Sequence, residues 1–213
     1  MNRTATPFLL VLACLVAPDI AAAGVPSPVN STLPACMALC PFGDMTFSVT
    51  IRDLANNPVV NSSVVITFEN CSNGHVFVCP QRPNDPYTVN AAVPSIRMFA
   101  DATGKVTFPA RIGGTGPAGC AAVFADGVFM RSYALASPDQ NGNGMAVGII
   151  DVDPALFAAK LGTVDPTADF DCSGGPVDAA DEVIFNRHLA HGCDGFIDAL
   201  PRSTWGSVKS HYR

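Results

Sequence analysis

Short segments in which apolar and polar residues alternate run through the first two thirds of the chain. Residues 46–52 and 63–68 carry apolar side chains at every second position, a period typical of strands with one buried face. Further strands are predicted at residues 75–78, 105–108, 121–124 and 128–133. Asp126-Gly127 favours a tight hairpin turn between the last two, and the glycines of residues 113–119 indicate a flexible connection. About seven short strands without a helical period favour a β-sandwich.

Charge separates this part of the chain from the rest. Residues 24–138 contain six acidic and six basic residues and are neutral, whereas residues 139–213 contain eleven acidic and five basic residues, a net charge of −6. Ten of those eleven acids are Asp, a weaker helix former than Glu. Asp repeated at short intervals among Gly and Asn is typical of loops that bind a hard cation. We therefore place a domain boundary at residues 136–138.

The second of two such loops, residues 169–181, fits a calcium-binding loop with one inserted residue, Gly175. Gly174 takes the sixth position, where the chain turns sharply. Alternate side chains must curl around one ion in such a loop, with oxygens at about 2.3–2.6 Å. The candidate ligands, in loop order, are Asp169, Asp171, Ser173, Asp178 and Asp181.

A first loop begins 30 residues upstream, at Asp139, and repeats the spacing. Its candidate ligands are Asp139, Asn141 and Asn143, closed by either Asp151 or Asp153. Short helices are predicted after the two loops, at residues 154–161 and 181–190. Each contains two apolar residues four positions apart, Phe157 and Leu161 in the first helix and Phe185 and Leu189 in the second. Pro138 and Pro166 argue against a helix entering either loop.

Two family resemblances follow from these motifs. The strings Phe47-Ser-Val-Thr-Ile-Arg-Asp53, Asn57-Pro58-Val59 and Asp101-Ala-Thr-Gly104 resemble bacterial immunoglobulin-like domains of the invasin type. The duplicated loop and helix resemble a dockerin, which implies two calcium ions and, in many dockerins, docking onto a cohesin. Dockerins usually present polar residues after the ninth loop position, where this chain has Ala179 and Ala180. The expected fold is mainly β, an immunoglobulin-like β-sandwich followed by a small α-helical dockerin-like module.

The chain begins with features of a signal peptide. Arg3 precedes a brief apolar run at residues 8–16, and Ala23 ends a stretch of small residues suited to cleavage. The predicted organisation is a signal peptide at 1–23, an N-terminal segment at 24–44, the sandwich at 45–136, the dockerin-like module at 137–193 and a tail at 194–213.

Cysteine usage agrees with export. Seven cysteines follow Cys14, and an oxidising compartment would pair most of them. We predict the disulfides Cys172–Cys193, around one short element, and Cys71–Cys79, closing a hairpin. The other three cysteines cannot be assigned from spacing. His188 and His191 lie close to Cys193 as a conceivable zinc trio, but a disulfide is the better use of Cys193.

Several classes of function are disfavoured. The acidic balance argues against a nucleic acid partner, no apolar stretch is long enough to span a membrane, and no catalytic motif is present. We therefore expect a secreted bacterial calcium-binding protein without enzymatic activity, which binds another extracellular protein or copies of itself. One alternative is a subunit of a filament or surface layer, using an unpaired cysteine, residues 25–39 and the aromatic tail to reach neighbours. Another is an accessory module of a carbohydrate-active system.

Overall fold

The computed structural model describes residues 24–71, 76–146, 152–193 and 195–196, and the chain is mainly β. The strands are β1 Met37–Ala38, β2 Phe47–Thr50, β3 Ser63–Thr67, β4 Val76–Val78, β5 Thr88–Asn90, β6 Ser95–Phe99, β7 Lys105–Phe108, β8 Ile112–Gly114, β9 Gly116–Ala125, β10 Val128–Ala136, β11 Met145–Ala146, β12 His191–Gly192 and β13 Gly195–Phe196. The helices are α1 Asp153–Ala158 and α2 Ala179–Arg187.

The largest sheet has the strand order β1-β10-β9-β3-β6-β5. Its pairs are antiparallel except β1 with β10, which run parallel. A separate antiparallel pair joins β2 to β7, with Phe47 opposite Phe108. Two smaller sheets contain β4 with β8 and β11 with β12 and β13.

Alternation along the strands builds one hydrophobic core to which the large sheet and the β2–β7 pair both contribute. In β2, Phe47 and Val49 are buried while Ser48 and Thr50 are half-buried, and β3 alternates in the same way through Val64 and Ile66. Residues of both sheets therefore share the same core, and the strands predicted from a period of two are confirmed at these positions.

The β9–β10 hairpin is confirmed as well. Asp126 and Gly127 have φ of 47° and 81°, as the two central residues of the favoured hairpin turn require. The flexible connection expected at residues 113–119 is wrong, because Ile112–Gly114 pairs with β4 and β9 already begins at Gly116. The glycines of residues 113–119 therefore allow the backbone to pack closely within strands, and they do not form a flexible loop.

The N-terminal segment, residues 24–44, belongs to the fold of its own chain. Pro26 and Thr32 bridge to Asp53 and Thr50, β1 extends the large sheet, and Met37 and Leu39 are fully buried. It is therefore not the free strand that the filament alternative needs to reach a neighbouring chain.

A second, smaller core lies among the residues of the acidic region. Phe157 of α1 and Phe185 of α2 stack with ring centroids 4.3 Å apart and an interplanar angle of 5°, and Phe170 stacks against both. The four-residue spacing predicted the two buried phenylalanines, and Leu189 packs partly against them. The predicted extension of the first helix to Leu161 is wrong, because α1 ends at Ala158, and Leu161 is 40% exposed.

Three disulfides link distant parts of the described chain: Cys36–Cys172, Cys71–Cys120 and Cys79–Cys193. Both predicted pairs, Cys172–Cys193 and Cys71–Cys79, are therefore wrong. Closeness along the chain suggested those pairs, whereas the packing of the acidic region against the N-terminal segment and β4 determines which cysteines meet. Among the described residues Cys40 is the cysteine without a disulfide, and it is buried.

Candidate metal centre

Carboxylates of the second loop converge on one point. Ligand oxygens of Asp169, Asp171 and Asp181 all lie within 4.8 Å of one another. The loop is shaped by its own backbone: the N–H groups of Ser173 and Gly174 donate to the Asp169 carboxylate at 3.0 and 2.9 Å. Gly174 has φ +70°, which glycine adopts without strain. The turn therefore brings alternate side chains to the same side, as a cation loop requires.

Asp181 closes the second loop from within α2. Its Oδ1 accepts hydrogen bonds from the backbone N–H groups of Phe170 and Asp171 at 2.7 and 3.1 Å. Its Oδ2 accepts from the N–H of Asp178 at 3.0 Å. The side chain is buried, so the beginning of the loop and the beginning of the helix are held against one carboxylate.

The first loop has the same internal hydrogen bonds. Asp139 accepts from the N–H groups of Asn143 and Gly144 at 3.2 and 2.8 Å, the counterparts of Ser173 and Gly174. Asn141 and Asn143 accept from the N–H groups two residues ahead at 3.0 and 2.9 Å. Asp171 and Ser173 do the same in the second loop at 2.9 and 3.2 Å.

The two candidates for the closing residue of the first loop differ in what the structure shows. Asp153 Oδ1 accepts from the N–H groups of Gln140 and Asn141 at 2.8 and 3.1 Å, the bonds that Asp181 makes in the second loop. Asp153 is fully buried. Asp151 lies outside the described residues. With Asp153 included, six hydrogen bonds recur from one loop to the other.

Asp178 has a different position from the other candidates of the second loop. It is the N-cap of α2, and its carboxylate accepts from the N–H of Ala180 at 2.7 Å. It is not among the three carboxylates that converge. The ninth residue of a calcium loop often reaches the ion through a water, so its role as a ligand stays a prediction.

Burial and neighbouring carboxylates disfavour the ionised form of Asp169 in the second loop. Burial raises the pKa of Asp169, and the neighbouring carboxylates of Asp171 and Asp181 raise it further. By contrast, a hydrogen bond from the N–H of Ser173 lowers the pKa of Asp171. In the part of the chain that the structure describes, no Lys or Arg forms an ion pair with these three groups. Like charges held this close are stabilised by a bound cation.

The donor set fits calcium better than a softer metal. The first loop offers carboxylate and amide oxygens and the second carboxylate and hydroxyl oxygens, all hard ligands of the kind that Ca²⁺ binds in groups of six to eight. An ionised carboxylate has about four lone-pair sites, so the N–H bonds to Asp169 and Asp181 leave room for coordination. Asp139, Asn141, Asn143 and Asp153 would hold one ion, and Asp169, Asp171, Ser173 and Asp181 a second.

Comparison with known proteins identifies no relative: no family model, curated protein or solved structure matches the chain. Within the described residues, no helix is long and apolar enough to cross a membrane. The predicted signal peptide and most of the predicted tail lie outside the described residues. The candidate site is therefore characterised by its geometry alone.

Sequence reasoning missed how the rest of the chain supports the loops. Gly113 of β8 packs directly on Asp139, and the N–H of Gly114 donates to the Asp139 carbonyl at 2.8 Å. The Cys36–Cys172 disulfide joins the second loop to the N-terminal segment. The glycines of residues 113–119 could have indicated close packing of the backbone. The sequence could not show that Asp139 is the residue packed there, because that contact is between distant parts of the chain.

We expect Gly113→Ala to weaken calcium binding by the first loop, because a methyl group there would overlap Asp139 Oδ2. The matched control is Gly175→Ala in the second loop, where the added methyl makes ordinary contact with Ser173 Oγ at 3.4 Å. Calcium titration of both variants by calorimetry tests this. Equal affinities of the first loop in the two variants would show that Gly113 does not position Asp139.

Proposed function

We propose that this is a secreted calcium-binding protein without catalytic activity, which acts in extracellular protein–protein binding or assembly. One observation carries the proposal: the same pattern of six hydrogen bonds occurs within each of two loops that begin 30 residues apart. Each loop is closed by a buried Asp at or near the start of a helix. A chance acidic turn would not repeat this pattern at a second site.

The architecture that we assign is an immunoglobulin-like sandwich with a dockerin-like module. The mainly β content and the core shared by two sheets support the first part. The order loop–helix, repeated and joined by the stack of Phe157 on Phe185, supports the second. Two disulfides, Cys36–Cys172 and Cys79–Cys193, attach the acidic region to the rest of the chain, so the sandwich serves as a rigid support for the calcium loops.

An extracellular location agrees with the covalent structure. Three disulfides indicate an oxidising environment, since cytosolic thiols are kept reduced. Calcium in such a compartment is abundant enough to occupy sites of modest affinity. Secretion through the predicted signal peptide is therefore part of the proposal.

Calcium would supply folding free energy to a region with a small core. The second core contains six buried apolar residues, few for a stable unit. Ligand binding to the native state adds stability by mass action. Several apolar side chains of this region remain exposed, which favours contact with a partner protein: Val152, Leu156, Leu161, Val164 and Val183.

The two alternative functions have less support. The filament alternative relied on an unpaired cysteine and a free N-terminal segment, but Cys40 is buried and the segment is folded into its own chain. The aromatic tail lies outside the described residues. No observation favours a carbohydrate-active partner.

Size-exclusion chromatography with light scattering tests the proposal on the full chain. With calcium we expect one discrete species, and with chelator a larger hydrodynamic radius, because the acidic region loosens. Asp181→Asn should shift toward the chelated behaviour, whereas Glu182→Gln, an exposed acid of the same helix, should behave like the wild type. Large polymers formed only with calcium would favour the filament alternative. Identical elution with calcium, magnesium and chelator would overturn a calcium-dependent role.

A further inference from the structure

A second cluster of metal-binding side chains lies away from the two calcium loops. It contains Cys40, Asp44, His188 and His191, whose ligand atoms all lie within 4.8 Å of one another. Cys40 and Asp44 lie between β1 and β2, His188 is the C-cap of α2, and His191 begins β12. The cluster therefore joins residues more than 140 positions apart.

The distances within the cluster, 3.1 to 3.4 Å, are close to or slightly shorter than the edges of a tetrahedral metal site. Cys40 Sγ lies 3.4 Å from His191 Nδ1, and the two histidine Nδ1 atoms lie 3.2 Å apart. The Asp44 carboxylate lies 3.1 Å from His188 Nδ1 and 3.4 Å from His191 Nδ1. A tetrahedral zinc with bonds of about 2.0–2.3 Å requires ligand–ligand edges of about 3.3–3.6 Å.

We propose that Cys40, Asp44, His188 and His191 bind one zinc ion as a structural site. One thiolate, two imidazoles and one carboxylate are ligand types that Zn²⁺ accepts. Four protein ligands leave no open position, so the site is closed to substrate. Binding releases the Cys40 thiol proton to solvent and involves no redox step.

The surroundings hold the ligands in place before a metal arrives. The rings of His188 and His191 meet edge to face with centroids 5.0 Å apart, and Phe42 packs against His191. Beside His191, the Cys79–Cys193 disulfide and the hydrogen bond from Cys193 N–H to the Gly144 carbonyl at 3.1 Å fix the backbone. A site with positioned ligands loses little conformational entropy on binding.

A catalytic thiol is the other use of a cysteine close to histidines, and the structure argues against it. Cys40 is fully buried, and burial raises the pKa of its thiol, whereas reactive cysteines are partly exposed with lowered pKa values. Asp44, with about a third of its side chain exposed, connects the cluster to solvent and offers an entry path for an ion.

The site explains why one of the described cysteines, Cys40, forms no disulfide. Cys40 is unoxidised beside three disulfides, and a metal-bound thiolate in a closed site is protected from exchange. The zinc would fasten the N-terminal segment to the end of α2. This role is independent of the calcium proposal, because the two sets of ligands share no residue.

Cobalt substitution tests the zinc site directly. The full chain carrying Cys14→Ser is titrated with Co²⁺ in excess calcium, so that the hard-oxygen sites are filled. We expect one Co²⁺ per chain, with intense tetrahedral d–d absorption, a thiolate-to-cobalt charge-transfer band, and displacement by one equivalent of Zn²⁺. Cys40→Ser should remove the charge-transfer band, and His188→Ala should weaken binding at least about 100-fold, more than is typical when only a supporting residue is lost.

The controls separate the two metal proposals. Asp181→Asn, in the second calcium loop, should retain the cobalt spectrum, and after chelation one equivalent of Co²⁺ without added calcium should restore that spectrum. Near-ultraviolet circular dichroism shows whether each variant is folded. Absence of a charge-transfer band in the Cys14→Ser protein, or its persistence in Cys40→Ser, would overturn the proposal whatever the calcium loops bind.

Discussion

Removal of calcium by excess chelator is expected to lower the free energy of unfolding by about 5 kcal/mol. A ligand at 100 times its dissociation constant stabilises the native state by about 2.7 kcal/mol per site, and the two loops form separate sets of ligands. The effect should be concentrated in the acidic region, where Asp153 and Asp181 hold the loops against α1 and α2. Urea unfolding followed by circular dichroism, at saturating calcium and with chelator, measures the difference.

Two variants measure how much each loop contributes to the calcium-dependent stability. Asp153→Asn and Asp181→Asn should each lose about half of the calcium-dependent stability, because each leaves the other loop intact. Glu182→Gln should keep the full difference. Chelators also remove zinc, so the titration is repeated with calcium alone added back. A midpoint that does not move when calcium is added back would contradict calcium-linked stability.

Phe157→Ala is expected to destabilise the protein by about 3–5 kcal/mol, the range for truncating a buried aromatic side chain. Phe157 is 3% exposed and stacks on Phe185 and Phe170, so its loss opens a cavity between the helices that follow the two loops. Calcium affinity should fall in both loops, since Phe170 lies in the second and α1 follows the first. Equilibrium unfolding and calcium titration measure the two effects.

The matched control for this variant is Leu156→Ala in the same helix. Leu156 is 40% exposed, and exposed substitutions usually change stability by less than about 0.5 kcal/mol. Equal losses in the two variants would mean that the aromatic stack does not control the stability of this region.

Features that depend on neighbours in the chain could be predicted from the sequence. The period of two in β2, β3 and β7 decides which side chains face the core, and Asp126-Gly127 suits its turn whatever surrounds it. The spacing of Asp169, Asp171 and Ser173 produces the turn that collects their oxygens, because those hydrogen bonds span only two to five residues. Calcium binding itself remains a prediction of that geometry.

Features that depend on how distant segments pack could not be predicted. Cys36 and Cys172 are 136 residues apart, and spacing offered Cys193 as a nearer partner for Cys172. For the same reason, the spacing of His188 and His191 could not predict that Cys40 and Asp44 lie beside them. Asp151 and Asp153 were equivalent on spacing; the hydrogen bonds of Asp153 with Gln140 and Asn141 match those of Asp181, and Asp151 lies outside the described residues.

The most direct test of the account is the number of calcium ions bound per chain, measured by equilibrium dialysis of the full chain with the zinc concentration held constant. We expect two calcium ions for the wild type and for Glu182→Gln. We expect one ion bound with unchanged affinity in Asp153→Asn or Asp181→Asn, and none at that affinity when both are combined. A wild type that binds no calcium, or two ions retained in the double variant, would show that these loops are not the calcium sites.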